Sequence, residues 1–159
     1  MRKQKGFSLI ELLIVVAIIL IIAAIAIPNL LRSRIAANEA SAVGSLRTIN
    51  TAEVTYQSTY PDKGFTCSLA YLGGTTGGTY SSAGMIDSVL SGGTKSGYTF
   101  VLTNCETATN STINVTYESR GAPVSPGQTG QRYFCSDQSG VIRYSASTTC
   151  QISNSPSAL

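Results

Sequence analysis

The chain has 159 residues, 43% hydrophobic and 12% charged, with four cysteines and neither histidine nor tryptophan, enough for one domain plus an appended segment. Without an imidazole, Ser-His-Asp and Cys-His hydrolases and any His-ligated zinc or haem site are excluded, and an enzyme is not expected. Of the net charge of +3, Arg2, Lys3 and Lys5 supply the whole excess, because the remaining 8 basic and 8 acidic residues cancel, so bulk charge offers no surface to a nucleic-acid backbone.

Residues 12–27 are sixteen consecutive apolar positions, LLIVVAIILIIAAIAI, and only Ser8 and Glu11 interrupt the run back to Phe7. As a helix, residues 7–27 measure ~31 Å at ~1.5 Å per residue, about the thickness of a bilayer hydrocarbon core. Twelve of the sixteen are Leu, Ile or Val. At roughly −0.5 kcal/mol each they supply about −6 kcal/mol, which outweighs the ~3 kcal/mol cost of one acidic residue. The basic residues at 2, 3 and 5 hold the N-terminus in the cytoplasm, with Arg32 and Arg34 on the far side weakening that preference. All four cysteines then lie outside, where they can oxidise. Three readings of this segment compete: a signal-anchor, a secretory signal peptide cleaved after Ala24-Ile25-Ala26, and one that also accounts for Gly6, Phe7 and Glu11.

The run Lys5-Gly6-Phe7-Ser8-Leu9-Ile10-Glu11, continued by Leu12-Leu13-Ile14-Val15-Val16-Ala17-Ile18-Ile19, resembles the class III leader junction of type IV pilins and type II secretion pseudopilins. The likeness covers roughly the first thirty residues, Pro28 included, and extends beyond them only as general architecture. It implies that residues 1–6 are a leader, that a membrane peptidase cuts between Gly6 and Phe7 and methylates the Phe7 amine, and that the apolar helix 7–28 is kept. It also implies an inner-membrane prepilin that polymerises with copies of itself through an assembly platform driven by an external ATPase. No GxxxxGK[ST] motif is present in the chain itself. After such a cut Glu11 stands one helical turn beyond Phe7, and a carboxylate near hydrocarbon needs a cation. The expected partner is the Phe7 amine of a neighbouring subunit, a pairing that sets filament register. A headgroup-level or helix-start role for Glu11 is the plainer alternative. Phe7, Glu11 and Pro28 are the expected assembly residues.

Beyond the membrane, Pro28 is expected to kink or interrupt the helix. Residues 29–60 continue it, with Ala42, Leu46, Ile49, Ala52 and Tyr56 as one apolar stripe. Arg32, Arg34, Glu39 and Arg47 fall to its solvated or subunit-facing side, and Pro61 ends it. Residues 61–97 read as a Gly/Ser/Thr-rich connecting loop with a short helix at 85–90. Within 98–159, alternation predicts four strands, at 98–102, 113–117, 133–135 and 141–144, the last two a hairpin. The fold class is α+β, a spine helix on a four-stranded antiparallel sheet.

Cys67, Cys105, Cys135 and Cys150 contain no C-x-x-C pair, so structural disulfides are the default and three connectivities stay open. Cys135–Cys150, clipping the terminal hairpin to the tail, and Cys67–Cys105, tying the loop to the sheet, are the expected pairs. The first resembles the disulfide-bounded region of many pilins. After Arg120 the only acidic residue is Asp137, too little for calcium's six to eight oxygen ligands. No metal or cofactor is therefore expected, which favours a pilus over a calcium-bearing pseudopilus. Asn110-Ser111-Thr112 and Asn114-Val115-Thr116 match the N-glycan acceptor pattern, and 147–149 with 153–157 offer hydroxyls for O-linked sugar. Tyr56 and Tyr60 read as packing residues. Together these features predict a structural pilus subunit, placed in the inner membrane and then in an extracellular fibre. A periplasmic secretion pseudopilin and a soluble domain released after Ala26 are the alternatives.

Overall fold

A computed structural model describes residues 6–74, 78–146, 149–154 and 157–159. Arg2, Lys3 and Lys5 of the expected leader, Gly77, and residues 147, 148, 155 and 156 of the expected glycan tail lie outside the described residues. Two compact units divide the chain, Met1–Arg34 and Ile35–Leu159, and helix α1 (Leu9–Thr59) runs through both.

In the first unit the helix starts on Ser8, whose carbonyl accepts the Leu12 N–H at 3.2 Å. Glu11 reaches back to accept the Ser8 N–H at 2.9 Å, half of a capping box. The helix is assigned without a break through Pro28, whose missing N–H removes one internal hydrogen bond. It therefore does not interrupt the helix.

The second unit holds the core. Along α1, Ile35, Glu39, Ala42, Leu46, Ile49, Glu53 and Tyr56 are buried at three- and four-residue spacing, one face of the helix. Thr59 is its last residue, two before Pro61. The sheet has six strands rather than the expected four: β1 (Thr94–Lys95), β2 (Tyr98–Thr103), β3 (Glu118–Pro123), β4 (Tyr133–Asp137), β5 (Arg143–Ser145) and β6 (Ser157–Ala158). Each pairs antiparallel with the next in sequence order. Tyr98, Phe100, Phe134 and Ile142 meet the helix stripe in one cluster. Fully burying side chains such as Leu46, Ile49 and Phe134 contributes roughly 2 kcal/mol apiece.

Two sequence expectations are corrected here. Residues 113–117 are not a strand: Asn114 makes only isolated bridges to Gly64 and Thr107, and the true β3 starts one residue later. Its sequence, ESRGAP, lacks β-branched residues yet pairs with β2 along all six positions. Small residues suit the site, since a Cβ on Gly121 would press on the Phe100 ring at 3.1 Å. Likewise Glu39 is not on a solvated face; it is 7% exposed and belongs to the buried stripe.

Between helix and sheet lie two one-turn helices, α2 (Leu69–Leu72) and α3 (Ser88–Ser91). The helix expected at 85–90 starts only at Ser88. Asp87 caps it by accepting the Leu90 N–H at 2.9 Å, while the Met85 and Ile86 amides donate to Leu72 instead.

Candidate functional site: an apolar assembly helix and the polar keys of the head

From Phe7 to Leu31 the first unit presents its apolar side chains outward: Phe7 is 77% exposed, Ile14 54% and Ile27 66%. Hydrocarbon on this scale stays out of water only against lipid or other protein. The helix is long and apolar enough to cross a membrane. The single carboxylate of residues 7–31, Glu11, is exposed and uses Oε2 for the Ser8 cap. The segment thus offers an acid beside a greasy surface, one turn from Phe7 in sequence.

In the second unit, polar side chains on the buried stripe key the helix to the sheet. Glu39 accepts the Gln131 and Arg132 N–H groups at 2.9 and 3.1 Å and the Arg132 Nε at 2.8 Å. Burial pushes its carboxyl up, but those donors outweigh it and hold it below the usual range. The Arg132 guanidinium also lies 5.5 and 5.4 Å from the Phe134 and Tyr144 ring centroids, positions suited to cation–π attraction.

Asn50 accepts the Tyr117 hydroxyl at 3.1 Å and donates to Ser136 Oγ at 2.8 Å. Glu53, fully buried, accepts the Thr66 N–H at 2.9 Å through Oε2. Its Oε1 has no hydrogen-bond partner among the described residues, and burial drives the carboxyl up to about 8. On the sheet, Glu118 gathers Arg120, Asn104 and the Ile152 N–H, fastening the C-terminal segment to β3. Sequence reasoning missed Asn50, Glu53 and Glu118. For Glu53 the signal was present, since positions 39, 46, 49, 53 and 56 share the spacing of the stripe.

Cysteine placement follows the same division between core and rim. Cys135 pairs with Cys150 and Cys67 with Cys105, at Cα separations of 5.5 and 6.1 Å. Closing these loops contributes about 3 and 4 kcal/mol in the chain-entropy model. Cys135 and Cys150 are buried, whereas Cys67 is exposed and Cys105 half-buried. Because thiol exchange requires access to the sulfur, mild reduction of the folded protein followed by alkylation is expected to label Cys67 and Cys105 first. Peptide mass mapping checks this, and earlier labelling of Cys135 would contradict it.

Tyr56 and Tyr60 pack with ring centroids 4.9 Å apart, and the Tyr56 hydroxyl donates to the Tyr80 carbonyl at 2.7 Å. Among the described residues, no group of three or more His, Cys, Asp or Glu side chains is placed to hold a metal ion.

The profile of the prokaryotic N-terminal methylation motif matches residues 1–27. The chain is homologous over part of its length to type IV major pilins. It is 67% identical over 39 residues to the type IV wide pilus major component PilA4 of Thermus thermophilus, covering 24% of this chain and 30% of that protein. It is 45% identical over 56 residues to the type IV major pilin protein PilA of Myxococcus xanthus, covering 35% and 26%. The matched segments thus span less than a third of either relative. No solved structure matches the chain significantly.

Proposed function

We propose that this chain is the structural subunit of a type IV pilus, made as a membrane prepilin, cut between Gly6 and Phe7, methylated on the Phe7 amine and polymerised with copies of itself. The observation that carries this reading is the outward-facing apolar surface of residues 7–31, a segment whose only carboxylate is Glu11. In a bilayer that surface is buried in lipid; in a bundle of identical helices it is buried against protein. Passage between the two is nearly neutral in hydrophobic free energy. Glu11, meeting the amine of a neighbouring Phe7, then fixes the axial stagger at which helices bundle, in the way a buried polar pair sets register.

The partners of this reading are a prepilin peptidase and an inner-membrane assembly platform with its own ATPase. The subunit occupies the inner membrane first and the extracellular fibre afterwards. The peptidase must keep the helix and modify the new terminus. Mass spectrometry of the mature protein from its native source is therefore expected to find Phe7 first, with one methyl group on its amine. A chain starting at Ile27 would overturn the reading, because the polymerising surface would have been discarded.

A further inference from the structure

The second unit carries two N-x-S/T triplets, Asn110-Ser111-Thr112 and Asn114-Val115-Thr116, and the fold separates them sharply. An asparagine that accepts a sugar must offer its carboxamide nitrogen to an enzyme on a protruding loop, with the hydroxyl two residues later open to the same face. Asn114 fails on each count. Its Nδ2 donates to the Phe65 carbonyl at 2.9 Å. Its backbone N–H donates to Lys63 at 3.0 Å, and its carbonyl accepts the Phe65 N–H at 3.0 Å. Thr116 is engaged as well, accepting the Glu106 N–H at 3.0 Å. A saccharide on Asn114 would cost the bonds that hold residues 63–65 against this strand-like segment.

Asn110 is placed in the opposite way. It sits at φ +56°, a conformation that asparagine tolerates better than most residues, at the apex of a turn. That turn is closed by the Ala108 N–H on Ile113 at 2.9 Å and the Ser111 N–H on Ala108 at 3.0 Å. Asn110 and Thr112 are both exposed, and both line one open cleft of about 750 Å³. Among the described residues no hydrogen bond holds the Asn110 carboxamide. The closing bonds and the Cys67–Cys105 bridge at the base of the segment present the tip as a fixed knuckle.

We propose that Asn110 is the acceptor of an N-linked glycan, with Thr112 as the hydroxyl read by the transferase. The sugar donor is a polyprenyl-pyrophosphate-linked saccharide at the outer face of the membrane, where this unit emerges in the pilus-subunit reading. The Asn110 Nδ2 attacks C1 of the first sugar; the C1–O bond to pyrophosphate breaks as the N–C1 bond forms. One amide proton leaves to a base of the transferase, and nothing is oxidised or reduced. The product keeps the knuckle intact, because neither closing bond uses the Asn110 side chain.

The test is peptide mass spectrometry of the full chain isolated from the organism that makes it, in the parent and in three variants. The peptide containing Asn110 is expected to carry a saccharide mass in the parent and in Ser111→Ala. That mass is expected to be lost in Asn110→Gln and in Thr112→Ala. An unmodified peptide in the parent overturns the proposal, as does an increment that survives Asn110→Gln or maps to Asn114. Loss of the increment in Ser111→Ala alone would mark an O-linked sugar and overturn it too. Normal fibres bearing a bare Asn110 would refute this inference and leave the pilus reading standing, so the two failures are distinct.

Discussion

Glu11→Ala is expected to leave the subunit at normal abundance in the membrane fraction and to abolish its filaments. The apolar run is untouched, so insertion proceeds; what is lost, in the proposed pairing, is the acid that would meet the amine of the neighbouring Phe7. Removing one partner of a buried ion pair strands the other and costs roughly 3–5 kcal/mol. At about 1.4 kcal/mol per tenfold, 3 kcal/mol already weakens each addition more than a hundredfold, and a polymer meets that cost at every subunit. Glu11 also caps its own helix through the Ser8 N–H, and the two roles separate chemically. Glu11→Gln retains an oxygen for the cap but no charge, so it is expected to fail in assembly like the alanine variant. Sheared-fibre yield and electron microscopy decide the matter. Abundant fibres from Glu11→Gln would assign the residue to helix capping alone and refute the pairing.

A second large effect is expected at Glu53, where the sign of the pH dependence can be worked out. Its carboxyl has an ordinary value of 4.5 and is raised to about 8 in the folded chain by burial, with the Thr66 N–H opposing. Between those values the folded state keeps a proton that the unfolded state releases, so stability is full below about 4.5 and falls as pH rises towards 8. The difference corresponds to a loss of up to about 5 kcal/mol across that window at 1.36 kcal/mol per unit. Glu53→Gln preserves the shape and an acceptor for Thr66 but cannot ionise. The variant is therefore expected to match the parent within ~1 kcal/mol at pH 5 and to exceed it by about 3 kcal/mol at pH 8. Thermal unfolding of the detergent-solubilised chain at the two pH values measures this. A variant with the same downward slope as the parent would show that the slope arises elsewhere.

Much of this molecule is legible in its sequence because one element dominates it. The apolar run from 12 to 27 is unbroken, the stripe through Ala42, Leu46, Ile49, Ala52 and Tyr56 is periodic over several turns, and the structure realises both in a single helix. The hairpin of β4 and β5 was equally readable, since hydrophobic runs flank Asp137-Gln138-Ser139-Gly140. Strand β3 was not. Ser119, Arg120 and Gly121 have little preference for extended structure, and they form a strand because β2 and β4 pair with them on both sides. Gly130 follows the same logic, since any side chain there would collide with the Tyr98 hydroxyl.

Glu39 was misjudged for a related reason. It reads as a surface residue until the loop ahead of β4 supplies the donors that meet it, and those lie 92 and 93 positions away in the chain. Such pairings are set by topology, which local periodicity does not encode.

The three polar keys on α1, at Glu39, Asn50 and Glu53, are spread along the helix from residue 39 to residue 53, roughly four turns at about 3.6 residues each. Each meets a different loop or strand, so a slide of the helix past the sheet by a single residue's rise would unseat all three at the same instant. Yielding to an axial pull is thereby an all-or-none event, with no partial slippage along the way.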